Sequence, residues 1–209
     1  MHITPVVRAL IIINVVFYFL THMGGFRTTI MSTQILGLFY FESEFFRPHQ
    51  LITHMFLHAN LMHLMFNMLS LYFLGPFLEI QWGSKKFLKF YFAAGLGAAF
   101  IHLLVKYIQV HYFGMVSDID IPVIGASGAI YGIFIAFAML YPNAELMLLF
   151  PPIPIKAKYL APILVFIDLS MGISGTATTI AHFAHVGGAL IGFIVIKYWQ
   201  LTGQLYNRE

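Results

Sequence analysis

Six runs of mostly apolar residues, at roughly 5 to 22, 60 to 79, 86 to 108, 125 to 141, 157 to 171 and 180 to 199, set the terms on which this chain can fold. A bilayer hydrocarbon core about 30 Å thick takes about 20 helical residues to cross. Inside lipid the backbone must satisfy its own hydrogen bonds, so each run reads as a helix. Composition agrees: 60% of the residues are hydrophobic, 9% are charged, and the mean hydropathy is +0.84. Soluble domains carry about 25% charged residues, so a water-soluble fold is excluded. The sequence therefore predicts an all-α membrane protein, a compact bundle of six transmembrane helices in one domain over residues 1–209. The fifth run is the shortest of the six. The N-terminus carries one positive charge, Arg8, ahead of the apolar stretch that makes up most of the first run, but no small-x-small cleavage site follows Thr21-His22-Met23, so the run reads as a retained span and not a signal peptide.

The connections differ in character. Residues 23 to 59 form a long first loop in which Glu42, Glu44, Arg47 and Pro48 mix with Phe39, Tyr40, Phe41, Phe45 and Phe46, an amphipathic pattern suited to the headgroup layer. Residues 142 to 156 read as a short turn stiffened by Pro142, Pro151, Pro152 and Pro154, and 170 to 179 as a small-residue, flexible loop. Six crossings put both termini on one side, with Arg8, Lys85, Lys86, Lys89, Lys156, Lys158, Lys197 and Arg208; Arg27, Arg47 and Lys106 fall on the other. That asymmetry places both termini in the cytoplasm. The cations form no basic stripe, so nucleic acid is not an expected partner. With no cysteine, disulfides, thiolate metal sites and cysteine nucleophiles are excluded.

Polar side chains at membrane depth are costly and mark candidate sites. One group is His54, His58, Asn60, His63 and Asn67. Asn60 suits a helix N-cap, after which His63 and Asn67, four apart, share one face. They serve either as interhelical hydrogen-bonding glue or as donors lining a site, while His54 and His58 organise the loop. A second group is Gly125-Ala126-Ser127-Gly128 with Tyr131 and Gly132. A serine at a helix start lies beside unpaired N–H groups and the positive end of the helix dipole, a place suited to an oxyanion. The competing reading is close helix packing through Gly128 and Gly132.

The third group is His182, His185, Gly187, Gly188 and Gly192. His185, Gly188 and Gly192 fall on one helix face, which can press on the glycine face of the fourth span and bring the imidazole to Ser127. A serine needs such a base to become a nucleophile near neutral pH. Tyr131, one turn from Ser127, could pack on that imidazole. Asn14, Glu79, His102, Lys106 and Asp168 read as structural; Asp168, the one acid of the fifth span, could in principle orient His185.

With His63 and Asn67 in the second span, Gly125-Ala126-Ser127-Gly128 and Tyr131 in the fourth, and Ala184-His185-Val186-Gly187-Gly188 in the sixth, the chain resembles the rhomboid family of intramembrane serine proteases over essentially its whole length. The resemblance implies a rhomboid-like bundle in which Ser127 is the nucleophile and His185 the base of a dyad that requires no acid. It implies an oxyanion hole of the His63 and Asn67 side chains and the Ser127 N–H, with Tyr131 packed on His185. Gly125, Gly128 and Gly188 support the site. His58 matches the family's first-loop histidine and Glu79 a structural carboxylate; His182 does not occupy the motif position. Many members carry Trp-Arg in the first loop where this chain has His49-Gln50, a departure that bears on loop anchoring and not on the chemistry.

The expected partners are the lipid bilayer and membrane-anchored substrates whose transmembrane segment unwinds near the cut, with a small residue before the scissile bond. No cofactor and no metal are expected, and a bacterial plasma membrane is the implied location. The 170 to 179 loop and the fifth span would be lid and side gate. Two other classes remain: a non-proteolytic relative that binds membrane segments, disfavoured by the presence of both Ser127 and His185, and a metal-handling membrane protein, prompted by ten histidines and the His54/His58 pair. The latter lacks a His-Glu-x-x-His pattern and an oriented outer shell.

Overall fold

A computed structural model describes residues 2–116, 119–147, 152–174 and 181–206. Among the described residues there are eight α-helices: α1 Pro5–His22, α2 Gly25–Leu36, α3 Gln50–Thr53, α4 Leu61–Trp82, α5 Ser84–Phe113, α6 Ser127–Leu140, α7 Ala157–Ser174 and α8 His182–Leu201. Five of them, α1, α4, α5, α7 and α8, are long and apolar enough to cross a membrane, and α6 is a shorter apolar helix. The chain is an integral membrane protein with the expected helical bundle.

The bundle is built around α6, which packs against α4, α5, α7 and α8, while α1 lies against α4. Its core gathers Leu71, Leu78, Trp82, Phe87, Phe90, Tyr91, Ile133 and Ile196, all essentially buried. Phe19, Phe100, Phe166 and Leu201 point outward and are more than half exposed. That surface suits lipid, which rewards no burial of apolar side chains, so helix contact must come from close packing through small residues. A Cβ added to Gly188 would come 1.9 Å from the Gly128 carbonyl oxygen, and one on Gly192 2.7 Å from Gly132 Cα. The two glycine faces expected to meet do meet, backbone against backbone.

Four expectations change. The shortest apolar helix is α6, with 14 residues, and not the fifth span, α7, with 18. At 1.5 Å per residue α6 is about 21 Å long, less than the hydrocarbon thickness. It cannot begin at Gly125, whose φ of +127° lies outside the helical region and whose N–H donates to the His54 carbonyl at 2.8 Å. Next, α7 runs on through 170–174, the first half of the expected flexible loop; residues 175–179 lie outside the described residues.

The turn at 142 to 156 contains an antiparallel hairpin, β1 Glu145–Met147 with β2 Pro154–Lys156; Pro151 lies outside the described residues. The first loop holds α2, α3 and a single 3-10 turn, His54–Phe56, with Leu38, Phe39 and Tyr40 buried. The hairpin and α2 are too short and too polar for hydrophobic periodicity to mark them.

At one end of the bundle Glu79, buried near the end of α4, clasps the start of α1. Its carboxylate accepts from Thr4 Oγ1 at 2.5 Å, Val6 N at 3.0 Å, Val7 N at 2.9 Å and Ser84 Oγ at 2.7 Å. Two of these donors are N–H groups that a helix start leaves without intrahelical partners. Lys86 donates to the Gln204 carbonyl and lies 4.4 Å from the Trp199 ring, which ties the end of α8 and the residues after it to the start of α5.

Candidate active site

The site begins with the segment that leads into α6. Val123 and Leu38 exchange backbone hydrogen bonds of 2.8 and 2.9 Å, and Gly125 N–H reaches His54 O. Irregular backbone is tolerated at membrane depth only where protein satisfies it, and the first loop does so here. Ser127 is the first residue of α6, so its N–H is one of the groups a helix start leaves unpaired, at the positive end of the dipole.

Across the α6/α8 contact, His185 Nε2 lies 2.8 Å from Ser127 Oγ. The Tyr131 ring stacks on the imidazole, with centroids 4.5 Å apart and planes at 9°. His185 and Ser127 are both partly exposed, neither fully buried nor fully exposed.

Asn60 caps α4, its Oδ1 accepting from His63 N at 2.9 Å. His63 Nδ1 accepts from Ala59 N at 3.3 Å, so the neutral imidazole carries its proton on Nε2. That edge faces the site: a Cβ built on Gly125 would be 2.8 Å from His63 Nε2 and 3.5 Å from Ser127 Oγ. One turn further on, Asn67 is 6% exposed and its Nδ2 has no partner. His58 is buried, its ring centroid 5.0 Å from that of His63. Desolvation, with the unfavourable cost of protonating it beside His63 adding to it, lowers its pKa to about 3, which keeps it neutral.

The His49-Gln50 departure resolves into an anchor. Gln50 is completely buried; its Oε1 accepts from Arg47 N at 3.0 Å and Phe39 N at 3.4 Å, and its Nε2 donates to the carbonyls of Phe45 (2.9 Å), Gln34 (3.2 Å) and Ile35 (3.3 Å). His49 Nε2 reaches Ile35 O at 2.8 Å. His54, whose Nδ1 is 2.8 Å from Gln50 O, is pulled down to a pKa of about 4 by burial.

Asp168 is more than the structural residue its isolation in the fifth span suggested. Its Oδ1 lies 3.1 Å from His185 Nδ1 and 2.6 Å from His182 Nδ1, and its Oδ2 accepts from the Tyr131 hydroxyl. The only prior signal was that it is the one acid in an apolar run. Asp168, His182 and His185 are also the one grouping of metal-ligand atoms among the described residues. Asp168 is hydrogen-bonded to both imidazoles, so an ion would have to displace those contacts to enter.

Residues 44–200 match the family model of the Rhomboid domain. The chain is 33% identical over 153 residues to Rhomboid protease AarA of Providencia stuartii, covering 68% of this chain and 52% of that protein. It is 31% identical over 176 residues to RHOMBOID-like protein 12, mitochondrial, of Arabidopsis thaliana, covering 78% and 49%. It is 30% identical over 151 residues to the Putative rhomboid protease YdcA of Bacillus subtilis, covering 71% and 67%. A chain with this bundle and this match belongs to the rhomboid family. It spans about half the length of the first two of these relatives.

Proposed function

We propose that the chain is an intramembrane serine endopeptidase that hydrolyses peptide bonds in or near transmembrane segments of membrane-anchored proteins. The observation that carries this reading is the 2.8 Å contact of Ser127 Oγ with His185 Nε2 at the start of a short helix. Ser127 Oγ attacks the scissile carbonyl carbon while its proton passes to His185 Nε2. The oxyanion is received by the Ser127 N–H, His63 Nε2–H and the unpartnered Asn67 Nδ2. His185 then protonates the leaving amine, and water, activated by the same base, releases the acyl group. The short α6 lets water reach this level from the side of the first loop. By the excess of Lys and Arg at the opposite end, that end and both termini face the cytoplasm of a bacterial-type cell.

Cleavage of a transmembrane-segment substrate by the detergent-purified full chain tests the reading, with Ser127→Ala and His185→Ala as folded controls. Wild type cuts, both variants lose more than about 10³-fold in rate, and a fluorophosphonate labels wild type but not Ser127→Ala. Cleavage by folded Ser127→Ala would defeat the assignment. Binding of the segment without cleavage by wild type would replace it with an escort role.

A further inference from the structure

We propose that Asp168 is the positioning residue of His185, turning the expected serine–histidine pair into a buried acid–base–nucleophile line; this rests on the protease reading above. The geometry is continuous: Asp168 Oδ1 lies 3.1 Å from His185 Nδ1, and His185 Nε2 lies 2.8 Å from Ser127 Oγ. An ionised carboxylate only accepts hydrogen bonds, so His185 must hold its resting proton on Nδ1. Nε2 is then bare and directed at the serine hydroxyl. The opposite tautomer would turn an N–H toward Ser127 and could take no proton from it.

Two helices converge on this one acid of α7. Tyr131 of α6 donates to its Oδ2, while His182 and His185 of α8 meet its Oδ1. The carboxylate is largely buried, in a helix apolar enough to span the membrane. A charge there is costly unless partnered, and these three groups satisfy it. Its partners also leave it little freedom to turn away: the stacked Tyr131 ring sets the plane of His185 while the Asp168 carboxylate, held by the Tyr131 hydroxyl, sets its tautomer. In the reaction the proton leaves Ser127 Oγ for His185 Nε2 as the new C–O bond forms. It passes to the leaving nitrogen as the C–N bond breaks. Nδ1 keeps its proton throughout, and the transient imidazolium is paired with the Asp168 carboxylate.

The test uses the purified full chain and a transmembrane-segment substrate. Folded Asp168→Asn loses about 10²-fold or more in kcat with KM changed less than about threefold. Added to His185→Ala, the same substitution costs nothing further, because it acts only through that imidazole. A structural role would instead lower both parents' activity and stability alike. Should Asp168→Asn not fold, ¹⁵N spectra of histidine-labelled wild type, with His185→Ala to assign the ring, read the tautomer directly and show Nδ1 protonated at rest. Near-normal kcat in folded Asp168→Asn, an additive double variant, or a resting His185 protonated on Nε2 would each overturn the proposal while leaving the Ser127 assignment intact. Failure of wild type to cleave would overturn the parent reading and this one with it.

Discussion

The carbonyl oxygen of Gly128 occupies the space where Gly188 would carry a side chain, 1.9 Å from the position of its Cβ. Backbone, not a flexible side-chain tip, fills that space, so Gly188→Ala must push α6 and α8 apart. Overpacking typically costs about 1–3 kcal/mol, and the same displacement separates His185 from Ser127. Gly188→Ala should unfold at lower temperature in detergent and lose fluorophosphonate labelling. Leu190→Ala, on the outward face two residues away, should leave both unchanged. Wild-type stability in Gly188→Ala would mean that the helices are not in backbone contact.

Tyr131 makes two separable contacts, a ring stack on His185 and a hydroxyl bond to Asp168. Tyr131→Phe keeps the first, and Tyr131→Ala loses both. An aromatic stack contributes about 0.5–1.5 kcal/mol, so the alanine variant should be about tenfold slower than the phenylalanine variant in kcat. Equal rates would show that ring orientation does not depend on the stack.

The oxyanion assignment predicts that His63→Ala and Asn67→Ala each lower kcat by about 10²-fold, as loss of one donor does elsewhere. Substrate binding should change little, since the donors meet an oxygen that becomes charged only in the transition state. A rise in KM at constant kcat would assign these side chains to binding instead.

Burial of two first-loop imidazoles makes stability depend on pH. Their folded pKa values, about 4 for His54 and about 3 for His58, lie below the unfolded value near 6.5. Between those limits the unfolded chain binds more protons than the folded one, so stability rises with pH. It is full above about pH 6.5 and falls as pH drops toward 4, by on the order of a few kcal/mol. Thermal unfolding from pH 7.5 to 4.5 should show the loss, and His58→Gln should flatten it. A wild-type curve that stays level over this range would mean that neither imidazole is buried neutral.

Gln50 fastens the first loop from the inside. Gln50→Ala leaves the Arg47 and Phe39 N–H groups and the Phe45 carbonyl without this partner, and unpaired buried groups cost about 1–3 kcal/mol each. Limited proteolysis should cut the variant within the first loop well before wild type. Equal resistance would place the anchor elsewhere.

Several of these relationships were legible from residue order alone. Runs of apolar residues fixed the spanning helices, because lipid admits few alternatives to a helix. The four-residue spacing of His63 and Asn67 and the glycine spacing of α6 and α8 fixed which residues share a face. The cap at Asn60 was legible too, because its hydrogen bond is local. The boundary at Ser127 was missed by two residues: what ends the helix there is the bond from Gly125 to His54, which joins positions far apart in the chain.

Other features needed the assembled molecule. Hydrophobic pattern gives the rotation of a helix only when one face is polar, and α7 is apolar nearly all round. Nothing in its sequence says whether Asp168 meets lipid, loop or His185. Gln50 likewise looks like any loop glutamine until the carbonyls of residues 34, 35 and 45 close around it. Residue order was enough to mark which segments are apolar enough for a membrane and which polar groups within them need partners. Tertiary structure alone decided which partners those are, because hydrogen bonds between helices depend on relative rotation and depth, and an apolar surface in an apolar solvent specifies neither.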